Sequence, residues 1–228
     1  FTAAFAHELK TPLTSIIGYA DTIRQMELTP EENNMCANYI YNQGKRLQSL
    51  SYKLLDMAML EKAAFSFREI LVPDFMEEVS RTVRPSLKEK NITLYTNYQR
   101  GSIWGDRDLL ASVFMNLIDN ARKVSPEGTA IWFSGQAVFG GYVMAVQDQG
   151  PGLPKEELSR ITEAFYMVDK SRSRKEGGAG LGLALCRKII DLHHASWKLE
   201  SQLGKGLRVT VLFGSASEER ETLGTGRE

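Results

Sequence analysis

The apolar period changes once along this chain, near Ala64, and that change limits what each half can fold into. Upstream, Ile40, Leu47, Leu50, Leu54 and Met57 recur at intervals of 7, 3, 4 and 3, the a/d spacing of a helical bundle seam. No strand signal interrupts residues 1–64. The proline-marked break there, Leu28-Thr29-Pro30-Glu31-Glu32, reads as a helix start: Thr29 is the N-cap, Pro30 takes the first helical position and Glu32 closes a capping box. Two long antiparallel helices are therefore expected, with a kink at Pro12. A two-helix hairpin covers only part of its apolar faces, so a homodimer completing a four-helix bundle is expected as well. The chain opens at Phe1 inside a helical pattern, which reads as a fragment lacking its upstream part.

Downstream of Ala64, Phe67–Val72 reads as a strand, Asp74–Lys90 as a helix and Ile92–Tyr98 as an alternating strand. A helix over Asp106–Val124 follows, then strands over Ala130–Val138 and Tyr142–Gln147 joined at Gly140-Gly141. A helix over Leu183–Leu192 and a hairpin of Trp197–Ser201 with Leu207–Phe213 complete the pattern. Strands outnumber helices and several are consecutive, so residues 65–214 are expected to form an α+β domain with helices on one sheet face, not a doubly wound sheet. The polar stretch 215–228 reads as a disordered tail.

Lys+Arg and Asp+Glu both number 28, so the chain lacks the basic excess that drives counterion release from nucleic acid. Neither nucleic acid nor a membrane surface is an expected partner. Cys36 and Cys186 stand alone without C-x-x-C spacing, which gives neither a disulfide framework nor a thiolate metal site and fits a reducing compartment. No apolar run approaches the roughly 18–20 residues that cross a bilayer, and no signal-type segment leads the chain.

Four constellations could carry chemistry. In His7-Glu8-Leu9-Lys10-Thr11, an imidazole is followed by an acid, and Thr11 stands one turn along on the same face. The second histidine of H-E-x-x-H is missing, which removes the zinc-hydrolase reading. A neutral imidazole can act as a nucleophile with a carboxylate taking its other proton, although any solvated helix face can carry such a pair. On the helix Asp106–Val124, Asn116, Asn120 and Lys123 form one stripe beside the apolar face of Leu110, Val113, Phe114, Leu117 and Ala121. Two carboxamides suit Mg²⁺ and a lysine suits phosphate, while a plain solvated stripe has the same spacing.

Asp148-Gln149-Gly150-Pro151-Gly152 ends an apolar strand. It reads either as a tight turn capped by its aspartate or as a site where Asp148 accepts a hydrogen bond from an exocyclic amine such as adenine's. Gly150 and Gly152 would then let a flat ring approach the backbone. Finally, Gly177-Gly178-Ala179-Gly180-Leu181-Gly182 follows the cations Lys170, Arg172, Arg174 and Lys175. The run matches neither a P-loop nor G-x-G-x-x-G after a strand. It remains either a flexible loop or an anion-binding entry to a helix N-terminus.

Together and in this order the motifs resemble the sensor histidine kinases of two-component systems, over Phe1–Gly214. FAHELKTPLTSI is similar to the family's H box, NLIDNARKVSP to its N box, DQGPGLP to its G1 box, EAFYMVDKSRSR to its F box and lid, and GGAGLGLAL to its G2 box. The resemblance implies a dimerisation and histidine-phosphotransfer hairpin over 1–64 and a Bergerat-type ATP-binding α+β sandwich over 65–214. It implies that His7 takes the γ-phosphoryl group of ATP, that Glu8 is its base and that Asn120, with Asn116, holds Mg²⁺. Lys123 would contact phosphate and Asp148 would recognise adenine. Gly150, Gly152, Gly178, Gly180, Leu181 and Gly182 would shape the pocket and lid, with Lys170, Arg172 and Arg174 closing over the phosphates. Thr11 would orient the water that dephosphorylates the receiver domain of a partner response regulator. The implied setting is the cytoplasmic side of a protein anchored in the bacterial inner membrane.

Three departures stand out: Met167 where many members carry arginine, Ala179 for a frequent threonine, and His193-His194-Ala195 for His-Gly-Gly. A catalytically impaired ATP-binding scaffold and a Bergerat-fold clamping ATPase stay open as alternatives.

Overall fold

The structure, a computed structural model, describes residues 2–60, 65–168 and 180–215, with side chains from residue 5. It divides into two compact units, one formed by Phe1–Glu61 with Glu163–Leu181 and the other by Lys62–Thr162 with Gly182–Glu228. The expected tail from residue 216 lies outside the described residues.

In the first unit, α1 (Thr2–Gln25) and α2 (Pro30–Met59) form the expected hairpin. Glu8 meets Arg46 and Tyr19 stacks on Tyr39 at 4.6 Å, pairings that run in opposite directions and make the helices antiparallel. The capping box is in place, with Glu32 N donating to Thr29 Oγ1 at 3.2 Å and Thr29 N donating to Glu32 Oε2 at 2.9 Å. Helix α1 runs on through Pro12. On α2, Cys36, Leu50 and Met57 are buried along the seam, whereas Leu13 and Ile17 of α1 and Tyr52, Leu55 and Met59 of α2 remain exposed.

The second unit begins with β1 (Arg68–Leu71), α3 (Val72–Lys88), β2 (Thr93–Tyr98), β3 (Ser102–Gly105) and α4 (Arg107–Val124). It continues with β4 (Ala130–Val138), β5 (Gly141–Gln147), the single turn α5 (Lys155–Leu158), α6 (Gly182–Leu192), β6 (Ser196–Ser201) and β7 (Leu207–Gly214). The main sheet has the order β2-β4-β5-β7-β6; β2 runs parallel to β4 and every other pair is antiparallel. Period-2 alternation places Ile131, Phe133, Met144, Val146, Val209, Val211 and Phe213 on one buried face. Against it lie Phe75, Met76, Val79 and Val83 of α3, the apolar stripe of α4, and Leu185, Cys186, Ile189 and Ile190 of α6. Phe114 joins the layers, with its ring 5.8 Å from Phe75 and 5.2 Å from Phe133.

Strand β3 was not expected. It is four residues bounded by glycine and aspartate, and its pairing with β1, Arg68 opposite Gly105, joins segments too far apart in sequence for local patterning to reveal. Helix α3 starts at Val72 because Pro73, which lacks an N–H, fits its first turn.

Helix α4 is fixed at both ends. Asp106 Oδ1 accepts from Asp108 N and Leu109 N at 3.1 and 3.2 Å, and Lys90 Nζ donates to the carbonyls of Arg122 and Lys123 at 2.9 and 3.1 Å. In His193-His194-Ala195, the histidine shared with the family pattern has a structural role. His193 is buried, its Nε2 accepts from Asp106 N at 3.0 Å, its Nδ1 donates to Ile189 O at 2.7 Å, and Phe67 lies 4.9 Å from its ring. His194, in place of a glycine, adopts φ +50°.

Burial pushes His193 below its ordinary pKa, so the fold holds the neutral imidazole. Its contribution to stability is present above the unfolded value and is lost as pH falls through that value toward the lower folded one. The urea midpoint should therefore drop from about pH 7.5 to about 5.5, and His193→Gln should start lower yet lose less over that interval. An equally steep loss in the variant would contradict this role.

Candidate functional site

In the helical unit, His7 is exposed on α1 and Thr11 is half-buried one turn further on, its hydroxyl donating to the His7 carbonyl at 3.3 Å. Pro12 cannot donate to the Glu8 carbonyl, so the helix ladder is open where these side chains stand. Glu8 itself points inward. Its Oε2 accepts from Arg46 Nη2 at 2.8 Å, and both side chains are 8% exposed.

Arg46 is the residue that sequence reasoning missed. It lies four residues before Leu50, and a basic residue so close to a buried seam position is the signal that could have revealed it. Taking one partner from a buried pair strands the other charge, typically at about 3–5 kcal/mol, so Arg46 fixes the rotamer of Glu8 as well as neutralising it.

In the α/β unit, the burial of α4 turns Asn116 and Asn120 toward the start of α6. A Cβ built on Gly182 would lie 3.5 Å from both Asn116 Oδ1 and Asn120 Nδ2. Asn116 Nδ2 donates to Ser112 O at 2.9 Å, which leaves its carbonyl oxygen turned toward Gly182. The Asn120 carboxamide makes no hydrogen bond among the described residues. Lys123, expected to await phosphate, is paired with Asp119 at 2.7 Å, and Arg122 holds the other Asp119 oxygen at 2.9 Å. Burial raises the Asp119 pKa, but Lys123 and then Arg122 outweigh it and keep the carboxyl below its ordinary range.

Asp148 is 4% exposed. Its Oδ1 accepts from Gly150 N at 2.7 Å and Leu207 N at 3.2 Å, so the other oxygen, Oδ2, stays unengaged among the described residues. Burial pushes Asp148 above the usual carboxylate range, opposed by those two amides. The glycines around it are sterically required. Gly152 has φ +67° with Gln202 O where a Cβ would be, and Gly206 has φ +78° against the Asp148 carbonyl. A Cβ on Gly150 would approach Val124 Cγ2 to 2.8 Å.

Gly180 has φ +67° and its carbonyl accepts from Phe165 N at 2.8 Å; Leu181 and Met167 are buried. Lys170, Arg172, Arg174 and Gly178, together with Ala179, lie outside the described residues. The structure thus assembles Asn116, Asn120, Gly182 and Asp148 with its glycines in one unit, and His7, Glu8 and Thr11 in the other.

Residues 1–63 match the His Kinase A (phospho-acceptor) domain family, and residues 105–216 match the histidine kinase-, DNA gyrase B- and HSP90-like ATPase family. The chain belongs to the sensor histidine kinases. The sensor protein SrrB of Staphylococcus aureus is 30% identical over 210 residues, which cover 90% of this chain and 36% of SrrB, so the chain spans about a third of that relative. Among solved structures, the histidine kinase AdeS of Acinetobacter baumannii superposes with TM-score 0.74 at 22% identity, covering 91% of this chain and 97% of that one. The histidine kinase ThkA, solved in complex with the response regulator protein TrrA, superposes with TM-score 0.80 at 23% identity, covering 96% of this chain and 62% of that one. Full-length ShkA, solved with AMPPNP, gives 0.67 at 25% identity over 94% of this chain and 46% of its own.

Asp148→Asn should keep the oxygen that Gly150 and Leu207 bond while replacing the free Oδ2 by a donor. ATP affinity, followed by displacement of a fluorescent nucleotide, is expected to fall about 10- to 100-fold, as for a lost hydrogen bond to a charged group. A fall of less than twofold would remove Asp148 from nucleotide recognition.

Proposed function

We propose that this chain is the catalytic core of an ATP-dependent protein-histidine kinase, which phosphorylates His7 and passes the phosphoryl group to an aspartate of a response regulator's receiver domain. The observation that carries the reading is the exposed His7 with Glu8 beside it and Thr11 one turn along, in a chain whose other unit presents Asn120 and Asp148 with unengaged polar atoms. The hairpin of residues 1–64 is the phosphotransfer and dimerisation domain, and residues 65–214 are the ATP-binding domain. The exposed Leu13, Ile17, Tyr52, Leu55 and Met59 support pairing of hairpins in a homodimer.

In the kinase step, a ring nitrogen of His7 attacks the γ-phosphorus of ATP. The bond from that phosphorus to the bridging oxygen breaks, ADP leaves, and Glu8 takes the proton from the other ring nitrogen. The ion pair with Arg46 implies that Glu8 must turn from the hairpin interior to do this. Asp148 Oδ2 accepts from the adenine amine, and Gly150 and Gly152 leave room for the ring. Asn120 and Asn116 would hold Mg²⁺, since amide oxygens suit a hard cation, and the ion when bound would neutralise charge on the triphosphate. Lys123 is positioned to exchange Asp119 for a phosphate oxygen. Thr11 serves a separate hydrolytic step, orienting water toward the regulator's acyl phosphate so that the P–O bond to the aspartate breaks and inorganic phosphate leaves.

Incubation with γ-labelled ATP and Mg²⁺ should leave label that is lost in acid and kept in base, and His7→Ala should abolish it. Acid-stable label, or label retained in that variant, would refute the kinase reading in favour of an ATP-binding scaffold or clamp.

Thr11→Ala should leave labelling within about threefold, because Thr11 has no part in attacking ATP, while dephosphorylation of a purified regulator falls at least about tenfold. Equal loss of both activities would show that Thr11 only supports the helix.

A further inference from the structure

We infer that the free edge of β2, with the groove between β2 and α3, is a docking site for an extended segment of a protein partner in which acidic and apolar residues alternate. Strand β2 ends the sheet. Thr93 N bonds Thr129 O and Gln99 N bonds Gly135 O, so the odd-numbered residues of this parallel strand face β4. The even-numbered Leu94, Thr96 and Tyr98 direct their N–H and C=O groups outward, as a row able to pair with one more strand.

The two faces of that edge are unlike. On the helix side lies a groove of about 340 Å³ lined by Met76, Glu77, Ser80, Arg81, Arg84, Thr96 and Tyr98. Arg81 and Arg84 are exposed and make no ion pair or hydrogen bond among the described residues. Ser80, 4% exposed, lines the groove with a hydroxyl oxygen that has no hydrogen-bond partner among the described residues. A buried hydroxyl left unpaired is destabilising, and a ligand group entering the groove could satisfy it. Glu77 is occupied at the other end, accepting from the Tyr98 hydroxyl at 3.1 Å. On the opposite face, the exposed Tyr95 stacks on Trp132 with ring centroids 6.0 Å apart, an apolar shelf one residue from the edge.

Side chains of a strand added at β2 would point alternately into the groove and onto this shelf. Carboxylates on the first set would meet two unpaired guanidiniums, which bind them in bidentate fashion. Apolar side chains on the second set would cover Tyr95 and Trp132. None of the residues lining the groove is given a role in phosphotransfer, so the inference does not rest on that reading.

The test is fluorescence anisotropy of the whole chain with an end-capped, fluorescein-labelled peptide of about eight residues alternating glutamate and leucine. Saturable binding is expected, with Kd on the order of 10–100 μM. The Arg81→Glu, Arg84→Glu double variant should weaken it at least about tenfold. Both side chains are exposed, so circular dichroism and autophosphorylation of that variant should match the parent. A peptide N-methylated on the residues that pair with β2 should not bind, which separates strand addition from charge attraction alone. The proposal is overturned by absence of saturation at about 1 mM peptide, by equal binding of a lysine-for-glutamate peptide, by unchanged affinity of the double variant, or by full binding of the N-methylated peptide.

Discussion

Helix α4 is the element from which the α/β unit takes its positions. Leu110, Val113, Phe114, Leu117 and Ile118 bind it to the sheet, and the aromatic chain Phe75–Phe114–Phe133 sets both its height and its rotation. With 3.6 residues per turn, burying that stripe leaves no freedom in where Asn116, Asn120 and Lys123 point. The anchors at Asp106 and Lys90 prevent the helix from sliding along its axis. His193 ties the start of α4 to the end of α6, and the start of α6 brings Gly182 to the two asparagines. The candidate nucleotide site is in this sense a by-product of core packing. Side chains that never touch a ligand fix the groups that would.

The helical unit depends on a different kind of contact. Its seam is thin, and at its centre the carboxylate beside His7 is buried against Arg46. A buried ion pair adds little net stability over an apolar pair, because desolvating two charges offsets most of their attraction. It does impose a definite geometry. With Glu8 turned inward and His7 outward, the hairpin holds the proposed nucleophile and its proposed base apart, and bringing them together requires a rotamer change or a rotation of α1.

Much of this architecture was legible in the sequence. Among the described residues, capping chemistry located the start of α2, period-2 and period-3.6 patterns located six of the seven strands and the long helices, and the glycines near Asp148 stood out by residue type. What was illegible depended on contacts between distant residues. Strand β3 exists because β1 pairs with it, and Glu8 faces a partner 38 residues away. Beside the His194-Ala195 turn variant, His193 proved to be a buried imidazole with two backbone partners. Local periodicity states which face a residue occupies; it does not name the partner across the gap.

The most direct test of the account is the bond that phosphorus makes. The chain has three histidines, His7, His193 and His194. Uniform ¹⁵N-histidine labelling, incubation with ATP and Mg²⁺, and phosphorus-31 NMR at alkaline pH would show whether phosphorus is coupled to a ring nitrogen and to which ring. A one-bond phosphorus–nitrogen coupling that disappears with His7→Ala is the predicted result. A phosphorus resonance without nitrogen coupling, or coupling retained in that variant, would contradict it.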